Sequence, residues 1–225
     1  MTTRPLAGIR VLDLTNVLAG PFACHQLAHL GAEVIKVEAV GRGDLARNLG
    51  SDPGLNAAGM GISFLAQNAG KKSVTLNLKH PDGKALLKRL VATADVLVEN
   101  FRPGVLAKMG LDDDTLRQRF PRLVVGRING FGSTGPYRDR PAYDFVAQAM
   151  SGFMGVNGVE GGEPMRAAPP ISDMVASLNL AFGVSAALVR RERTGQGEIL
   201  ETALTNGLVA MLGYLAAEYF ATGEV

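Results

Sequence analysis

Cysteine is almost absent from this sequence, and several other features that would define its class are missing too. Cys24 is the single cysteine among 225 residues, so no internal disulfide can form. The first residues, MTTRPLAGIR, lack the basic start and long apolar core of a signal peptide. No uninterrupted apolar run of about 18 residues occurs, which argues against a transmembrane segment. We therefore expect a cytoplasmic protein without a membrane partner.

An excess of charge of one sign is lacking as well. The net charge is +2, and the charged residues are dispersed along the sequence. A nucleic-acid surface would need a basic stripe and a stacking platform, so we expect no nucleic-acid partner. The charge distribution does not exclude small anionic ligands. The 47% of hydrophobic residues indicates a globular protein with a sizeable core.

What is present is an alternation of β-rich apolar runs with helical patterns. We predict strands at residues 9–14, 34–37, 73–78, 96–98, 123–128 and 197–204, and helices at residues 21–30, from 81, 173–193 and 205–221. Such alternation indicates parallel strands joined by helical crossovers. The predicted fold is α/β, a doubly wound, Rossmann-like and mostly parallel sheet.

In such a sheet the ligand site lies beyond the carboxyl ends of the strands. The segments that follow the predicted strands are polar and mostly glycine-bearing: residues 15–20, 38–47, Lys79, 99–104 and 129–136. Familiar signatures are missing from them. Ala19-Gly20-Pro21 stands where a nicotinamide enzyme has its glycine fingerprint, and no Walker A sequence, G-x-S-x-G elbow or cysteine pair for zinc occurs.

Asp173 is the strongest candidate for a catalytic residue in the sequence. It opens the long apolar helix pattern, where the positive end of the helix dipole favours an ionised carboxylate. Such a carboxylate can act as a nucleophile or can cap the helix through the backbone amides of its first turn, and the residues alone favour the cap. The pair His25 and His29 lacks the glutamate of a zinc protease, and we interpret Cys24 as a packed small hydrophobe.

Five ordered motifs resemble the class III CoA-transferases, the family of formyl-CoA and carnitine CoA-transferases. They are V-L-D-L-T-x-V-x-A-G-P at 11–21, L-G-A-E-V-I-K-V-E at 30–38, G-D at 43–44, V-E-N-F-R-P-G at 98–104 and G-F-G-x-T-G-P-Y at 130–137. The resemblance covers essentially the whole sequence. It implies a coenzyme A-binding large domain at residues 1–200, incomplete here, and a strand end and helix at 201–225 leading toward a smaller domain that lies outside this sequence.

The resemblance implies that Asp173 is the catalytic nucleophile, which moves coenzyme A between carboxylic acids through an aspartyl anhydride and an aspartyl-CoA thioester. Acyl-CoA and a carboxylic acid are then the substrates, with no tightly bound cofactor and no metal. The full-length family members form intertwined homodimers. The positions that match the family's coenzyme-binding residues are Val17, Leu18, Ala19, Leu76, Lys79, Asn100, Phe101, Lys108 and Tyr143.

Two departures from the family pattern weaken any expectation of formyl or oxalyl specificity. Leu18 replaces a glutamine of the formyl-CoA enzyme, and Ala39 replaces a basic residue that contacts the coenzyme. We therefore expect another basic residue, Arg42 or Arg47, to meet the coenzyme phosphates.

Two alternatives stay open. A 2-methylacyl-CoA racemase shares the fold and coenzyme but needs a histidine beside its aspartate, and no histidine follows His80. The sequence is also consistent with a coenzyme-binding fragment without activity, because the family's chain is roughly twice as long. A fragment would expose apolar surface where the remainder packs.

Overall fold

The computed structural model describes residues 4–224, and within them six strands form one sheet. The strands are β1 (Arg10–Asp13), β2 (Glu33–Glu38), β3 (Lys72–Thr75), β4 (Val96–Glu99), β5 (Val124–Asn129) and β6 (Ile199–Ala203). Their order is β3-β2-β1-β4-β5-β6, and every pairing is parallel. This is the order of a doubly wound sheet, so the predicted fold class is confirmed.

Ten α-helices connect and extend these strands within the described residues. They are α1 (Ala19–His29), α2 (Pro53–Ala57), α3 (Ile62–Asn68), α4 (Pro81–Val91), α5 (Asp113–Arg119), α6 (Asp144–Met150), α7 (Phe153–Val156), α8 (Ile171–Thr194), α9 (Leu204–Met211) and α10 (Gly213–Thr222). Two short 3-10 turns, Leu45–Asn48 and Ala107–Met109, lie in the loops after β2 and β4.

The sheet is buried on both faces because successive strand residues point in opposite directions. Val11, Val96 and Val98 pack under α1 and α8 in one hydrophobic cluster. Leu12 and Leu97, their neighbours in sequence, pack in a second cluster with residues of α4 and α5. The result is a three-layer α/β/α arrangement. The loops that follow the strands lie at the carboxyl ends of the strands, on one side of this arrangement.

The winding direction reverses between β1 and β4, which are adjacent in the sheet but distant in sequence. The helices that follow these two strands, α1 and α5, pack on opposite faces of the sheet, so a crevice is expected at the carboxyl ends of β1 and β4. The site begins at this crevice.

Several predicted boundaries were wrong. The third strand ends at Thr75, so the predicted strand residues Leu76 and Leu78 lie outside it. The last strand covers residues 199–203 rather than 197–204. The predicted helix at 205–221 is two helices, because the backbone turns at Leu212 before Gly213, a poor helix former.

Short helices were missed altogether, among them α2, α3, α5, α6 and α7. For α5 a readable signal existed: Asp112 caps it through the Thr115 amide, acidic residues occupy its first turn and Arg117 and Arg119 its last. Each of these helices has at most seven residues, which is too short to show a hydrophobic period.

Large apolar side chains remain exposed on α8 and on the last two helices. Phe182 is 78% exposed and Phe220 is 83% exposed. By length and composition α8 is the one helix in the described residues that could cross a membrane, but nearly half of that stretch is buried and it packs on β5, β6 and α1. Its apolar character therefore serves the core on one side and leaves an uncovered face on the other.

Candidate active site

The loop after β1 meets the loop after β4 at the crevice. Asn100 accepts a hydrogen bond from the Asn16 amide at 2.9 Å and donates one to the Asn16 carbonyl at 2.8 Å. This reciprocal pair joins the two loops directly. The structure thereby brings Asn100 together with Val17, Leu18 and Ala19, four of the positions predicted to bind the coenzyme.

Val17 has an unusual backbone conformation. Its φ is 71°, and it is the only non-glycine residue between 4 and 224 with a positive φ. For a β-branched residue this costs roughly 1–2 kcal/mol, so the surrounding structure must hold it. The Val17 amide donates to Asp44 Oδ1 at 3.0 Å, which identifies Asp44 as one of the groups that do so.

Gly20 explains the close approach of α1 to Thr15 in the loop after β1. A Cβ atom at residue 20 would lie 2.3 Å from the Thr15 Cβ, so no other residue fits without a shift. The glycine in the A-G-P motif is therefore required by helix packing. It lets the loop turn tightly into α1.

Beneath this loop lies a network of buried charges. Lys36 Nζ is 2.8 Å from Asp44 Oδ2, and Lys71 Nζ is 2.8 Å from Asp13 Oδ2. Asp13 Oδ1 also accepts hydrogen bonds from the amide and hydroxyl of Thr15. Burial alone would raise the pKa of Asp13, but Lys71 and Lys36 outweigh it and the pKa is lowered. Asp13 and Asp44 are therefore paired scaffold carboxylates.

Asp173 has a different environment. It is the third residue of α8, which begins at Ile171, and its carboxyl makes no hydrogen bond or ion pair with any residue in 4–224. Burial, and secondarily the negative charge of Asp144, raises the pKa of Asp173 from 3.8 to about 7. Both expectations for its local role were therefore wrong: Asp173 does not cap the helix, and the helix dipole does not keep its pKa low.

Asp144, the first residue of α6, supplies the missing cap. Its Oδ1 accepts hydrogen bonds from the Ser172 amide at 2.9 Å and the Ser172 hydroxyl at 2.8 Å. Its Oδ2 accepts from Gln148 Nε2 at 2.7 Å, and Gln148 in turn accepts from the Ala167 amide. A side chain from another helix thus satisfies the start of α8, which leaves the neighbouring Asp173 without a partner.

Ser177 connects Asp173 with the loop after β1. Its hydroxyl donates to the Ala19 carbonyl at 2.5 Å and lies 2.6 Å from the Asp173 carbonyl. Since Ser177 is one turn beyond Asp173 on α8, this contact fixes the first turn of α8 against the start of α1. Sequence reasoning missed both Ser177 and Asp44 as parts of the site, because their roles depend on contacts between distant segments.

The remaining predicted positions lie around this centre. Leu76 and Phe101 are partly buried and pack against the same hydrophobic cluster. Lys79 and Lys108 are exposed and make no ion pair through their ammonium groups within the described part. Lys84, which was not predicted, donates to the Lys108 carbonyl at 3.3 Å and adds a third positive charge. Tyr143 is 62% exposed at the start of α6.

The two arginines predicted as candidates for the coenzyme phosphates have different environments in the structure. Arg47 is already bound: its guanidinium pairs with both Glu38 oxygens at 2.6 and 2.7 Å, donates to the Gly59 carbonyl and lies over the Phe64 ring. Arg47 is therefore a scaffold residue. Arg42 is exposed beside a cavity of about 440 Å³ at the carboxyl ends of β2 and β3, and it has no such partners in the described residues.

Cys24 and the pair His25 and His29 were the other groups considered for a reactive or metal-binding role. Cys24 is fully buried in the hydrophobic core, and burial raises the pKa of its thiol, which confirms the packed role. His25 and His29 contact each other through their Nε2 atoms at 2.9 Å. Residues 4–224 contain no cluster of three or more potential metal ligands.

Comparison with known proteins identifies the family of the chain. The sequence profile of CoA-transferase family III matches residues 6–225. The chain belongs to this family.

Similar family III proteins carry several named activities. The chain is 43% identical over 223 residues to a succinate–glutarate CoA-transferase of Agrobacterium fabrum, covering 98% of this chain and 56% of that protein. It is 44% identical to a succinyl-CoA–L-malate CoA-transferase β subunit of Chloroflexus aurantiacus, covering 90% and 50%. Thus the chain spans about half the length of the curated relatives.

A solved structure confirms the arrangement of the fold. A CAIB/BAIF family protein from Brucella suis superimposes with a TM-score of 0.90 at 36% identity, covering 99% of this chain and 59% of that one. The described sheet and its loops therefore have the architecture of the corresponding part of a family III protein.

Proposed function

We propose that the protein transfers coenzyme A from an acyl-CoA to a carboxylic acid, with Asp173 as the covalent carboxylate. The observation that carries this proposal is the unpartnered, half-buried Asp173 carboxyl, on the first turn of α8 that Ser177 joins to the Ala19 carbonyl at the start of α1. A carboxylate without hydrogen bonds keeps its lone pairs available, and desolvation makes it more reactive than a solvated one.

The proposed chemistry needs no external base. An ionised Asp173 oxygen attacks the thioester carbonyl, the C–S bond breaks, and a mixed anhydride and a CoA thiolate form. The thiolate attacks the aspartyl carbonyl of the anhydride, which releases the donor acid and leaves an aspartyl-CoA thioester. The acceptor carboxylate attacks that thioester, forming a second anhydride, and the thiolate then takes the acceptor acyl group. Asp173 is regenerated without net gain or loss of protons.

The coenzyme is proposed to lie along the carboxyl edge of the sheet. The joined loops at residues 16–19 and 100–101 would face the thioester end, with Leu76 and Phe101 against the adenine. Lys79, Lys84, Lys108 and Arg42 would supply positive charge for the phosphates. Tyr143, next to the residue that caps α8, would border the acid.

Succinyl-CoA is the proposed donor, and a small dicarboxylic acid the proposed acceptor. The support is that similar proteins are named for succinate, glutarate, malate and oxalate, the last an acetyl-CoA:oxalate CoA-transferase of Acetobacter aceti. We further propose a cytoplasmic location and an intertwined homodimer of the whole protein. The exposed apolar face of α8 to α10 is consistent with that assembly.

Racemisation has no supporting observation. His25 and His29 lie in α1 and His80 directly precedes α4, and no described hydrogen bond or ion pair joins any of them to Asp173. Exchange of the α-proton of an acyl-CoA with deuterated solvent, in the absence of acceptor acid, would support that reaction instead.

The deciding experiment is to trap the covalent intermediate. The protein is incubated with succinyl-CoA, treated with borohydride to reduce a thioester at Asp173 to the alcohol, and mapped by peptide mass spectrometry. We expect modification at Asp173 in the parent chain and in Asp52→Asn, a matched control whose carboxylate caps α2. Modification of another residue, or equal turnover by Asp173→Asn, would contradict the proposal. Calorimetric titration with CoA distinguishes an inactive fragment, which would bind without becoming labelled.

A further inference from the structure

The strained backbone at Val17 calls for a group that holds it, and Asp44 is placed to do so. Asp44 is 1% exposed, and its Oδ1 accepts hydrogen bonds from both the Val17 amide at 3.0 Å and the Ala46 amide at 2.9 Å. One oxygen thus ties the loop after β1 to the loop after β2.

Lys36 fixes the other oxygen of the same carboxylate. Its ammonium lies 2.8 Å from Asp44 Oδ2 and donates to the Thr15 carbonyl at 2.8 Å. Because Lys36 lies in the middle of β2, the carboxylate is anchored to the sheet rather than to a mobile loop. Glu38 adds a second anchor by accepting the Asp44 amide.

The contacts continue from Val17 toward Asp173. Leu18 precedes the first residue of α1, Ala19, whose carbonyl accepts the Ser177 hydroxyl on α8. A change in the backbone direction at Val17 would therefore move the loop relative to the helix that carries Asp173.

We propose that Asp44, anchored by Lys36, is a positioning residue that holds Val17 in its left-handed conformation and so sets residues 16–19 against the start of α8. This inference rests on the proposed function in one respect, since it takes the loop to be the part that binds CoA. Asp44 itself is buried, which is why its role is one of positioning.

Asp44→Asn tests the inference because an amide has only one acceptor oxygen. If the amide oxygen faces Lys36, the NH₂ group faces the Val17 and Ala46 amides, which are also donors. If the oxygen faces those amides, the NH₂ group faces the Lys36 ammonium. We expect the Val17 amide to exchange with solvent at least about tenfold faster, and CoA to bind at least about fivefold more weakly. Asp52→Asn, at a cap outside the site, should change neither.

Rescue by glycine separates positioning from general damage. Glycine adopts a positive φ without strain, so adding Val17→Gly to Asp44→Asn should restore most of the CoA affinity that Asp44→Asn loses. A double variant as weak as Asp44→Asn alone would overturn the inference, as would an unchanged exchange rate at Val17.

A second pair of variants covers the case in which Asp44→Asn does not fold. Val17→Pro cannot reach a φ of 71° and has no amide proton, yet it leaves the Lys36–Asp44 pair intact. It should bind CoA at least about tenfold more weakly than Val17→Gly, and equal affinities would overturn the inference. If the parent chain binds no CoA, the proposed function is contradicted. The solvent exchange rate of the Val17 amide in Asp44→Asn, compared with the parent chain, then tests the positioning role of Asp44 by itself.

Discussion

Two kinds of buried carboxyl group lie at the same edge of this sheet. Asp13 and Asp44 are fully buried and are paired with lysines, and their oxygens accept hydrogen bonds from the adjacent loop. Asp173 is half-buried, has no partner in the described residues and has a pKa raised to about 7. The two carboxylates paired with lysines hold the loops of the site in place. The carboxyl without a partner, Asp173, is the one that we propose for the chemistry.

Replacing Asp173 should give the largest effect on activity and no loss of stability. We expect Asp173→Asn to lower covalent labelling and turnover by at least about a thousandfold, because the amide is not a nucleophile. The free energy of unfolding should not fall, because no hydrogen bond is lost and the neutral amide is buried at less cost than the carboxylate. Urea denaturation and trapping of the intermediate measure the two quantities. A large loss of stability would show that Asp173 is a scaffold residue after all.

Replacing Asp13 should reverse this pattern. Asp13→Asn leaves Lys71 without its carboxylate partner, in a side chain only 2% exposed, and weakens the charge balance of Lys36. Removing one member of a buried pair typically lowers the free energy of unfolding by about 3–5 kcal/mol. The same urea titration measures it, with Asp173→Asn as the matched control. Equal stabilities of the two variants would remove the distinction between the two kinds of carboxyl.

The pH dependence should have opposite signs for the two carboxyls. Covalent labelling should rise about tenfold between pH 6 and pH 8, because the reactive Asp173 carboxylate forms as pH passes about 7. The raised pKa of Asp173 also means that its contribution to stability is present below pH 3.8 and lost as pH rises through about 7. The lowered pKa of Asp13 gives a contribution present above its unfolded pKa and lost in acid.

Asp144→Asn sharpens this pH prediction. It removes the nearby negative charge, so the midpoint of the labelling profile should move to lower pH, whereas the exposed Asp139→Asn should leave it unchanged. A midpoint near pH 4 in the parent chain would contradict the raised pKa of Asp173.

The smallest expected effect concerns the arginines. Arg42→Ala should weaken CoA binding about threefold to tenfold, and more so at low salt, since an exposed cation meets the phosphates. Arg47→Ala should instead lower stability, because it leaves the buried Glu38 without its bidentate partner. Calorimetric titration and denaturation measure the two outcomes, and a weaker affinity for Arg47→Ala alone would reverse the assignment.

Much of this fold was readable in the sequence. The apolar runs around Val11, Val34, Val96 and Val124 predicted the central strands, because a strand buried on both faces must be continuously apolar. The edge strand after Lys71 was predicted too long, since only one neighbour specifies its register there. The helices of seven residues or fewer were missed because they have no period to detect.

The site was predicted unevenly for a related reason. The loops that contain Val17 and Asn100 follow from where parallel strands end, whereas these two positions and the nucleophilic role of Asp173 were implied by the family resemblance. The sequence thus determined the sheet, the loops at its carboxyl edge and the family. Only the tertiary structure decided which carboxyl is paired: Lys71 lies far along the chain from Asp13, and Asp144 far from Ser172, yet these contacts make one aspartate a scaffold and leave Asp173 unpaired. Local sequence cannot specify this, because the pKa of a carboxyl depends on the charges and solvent that folding brings to it.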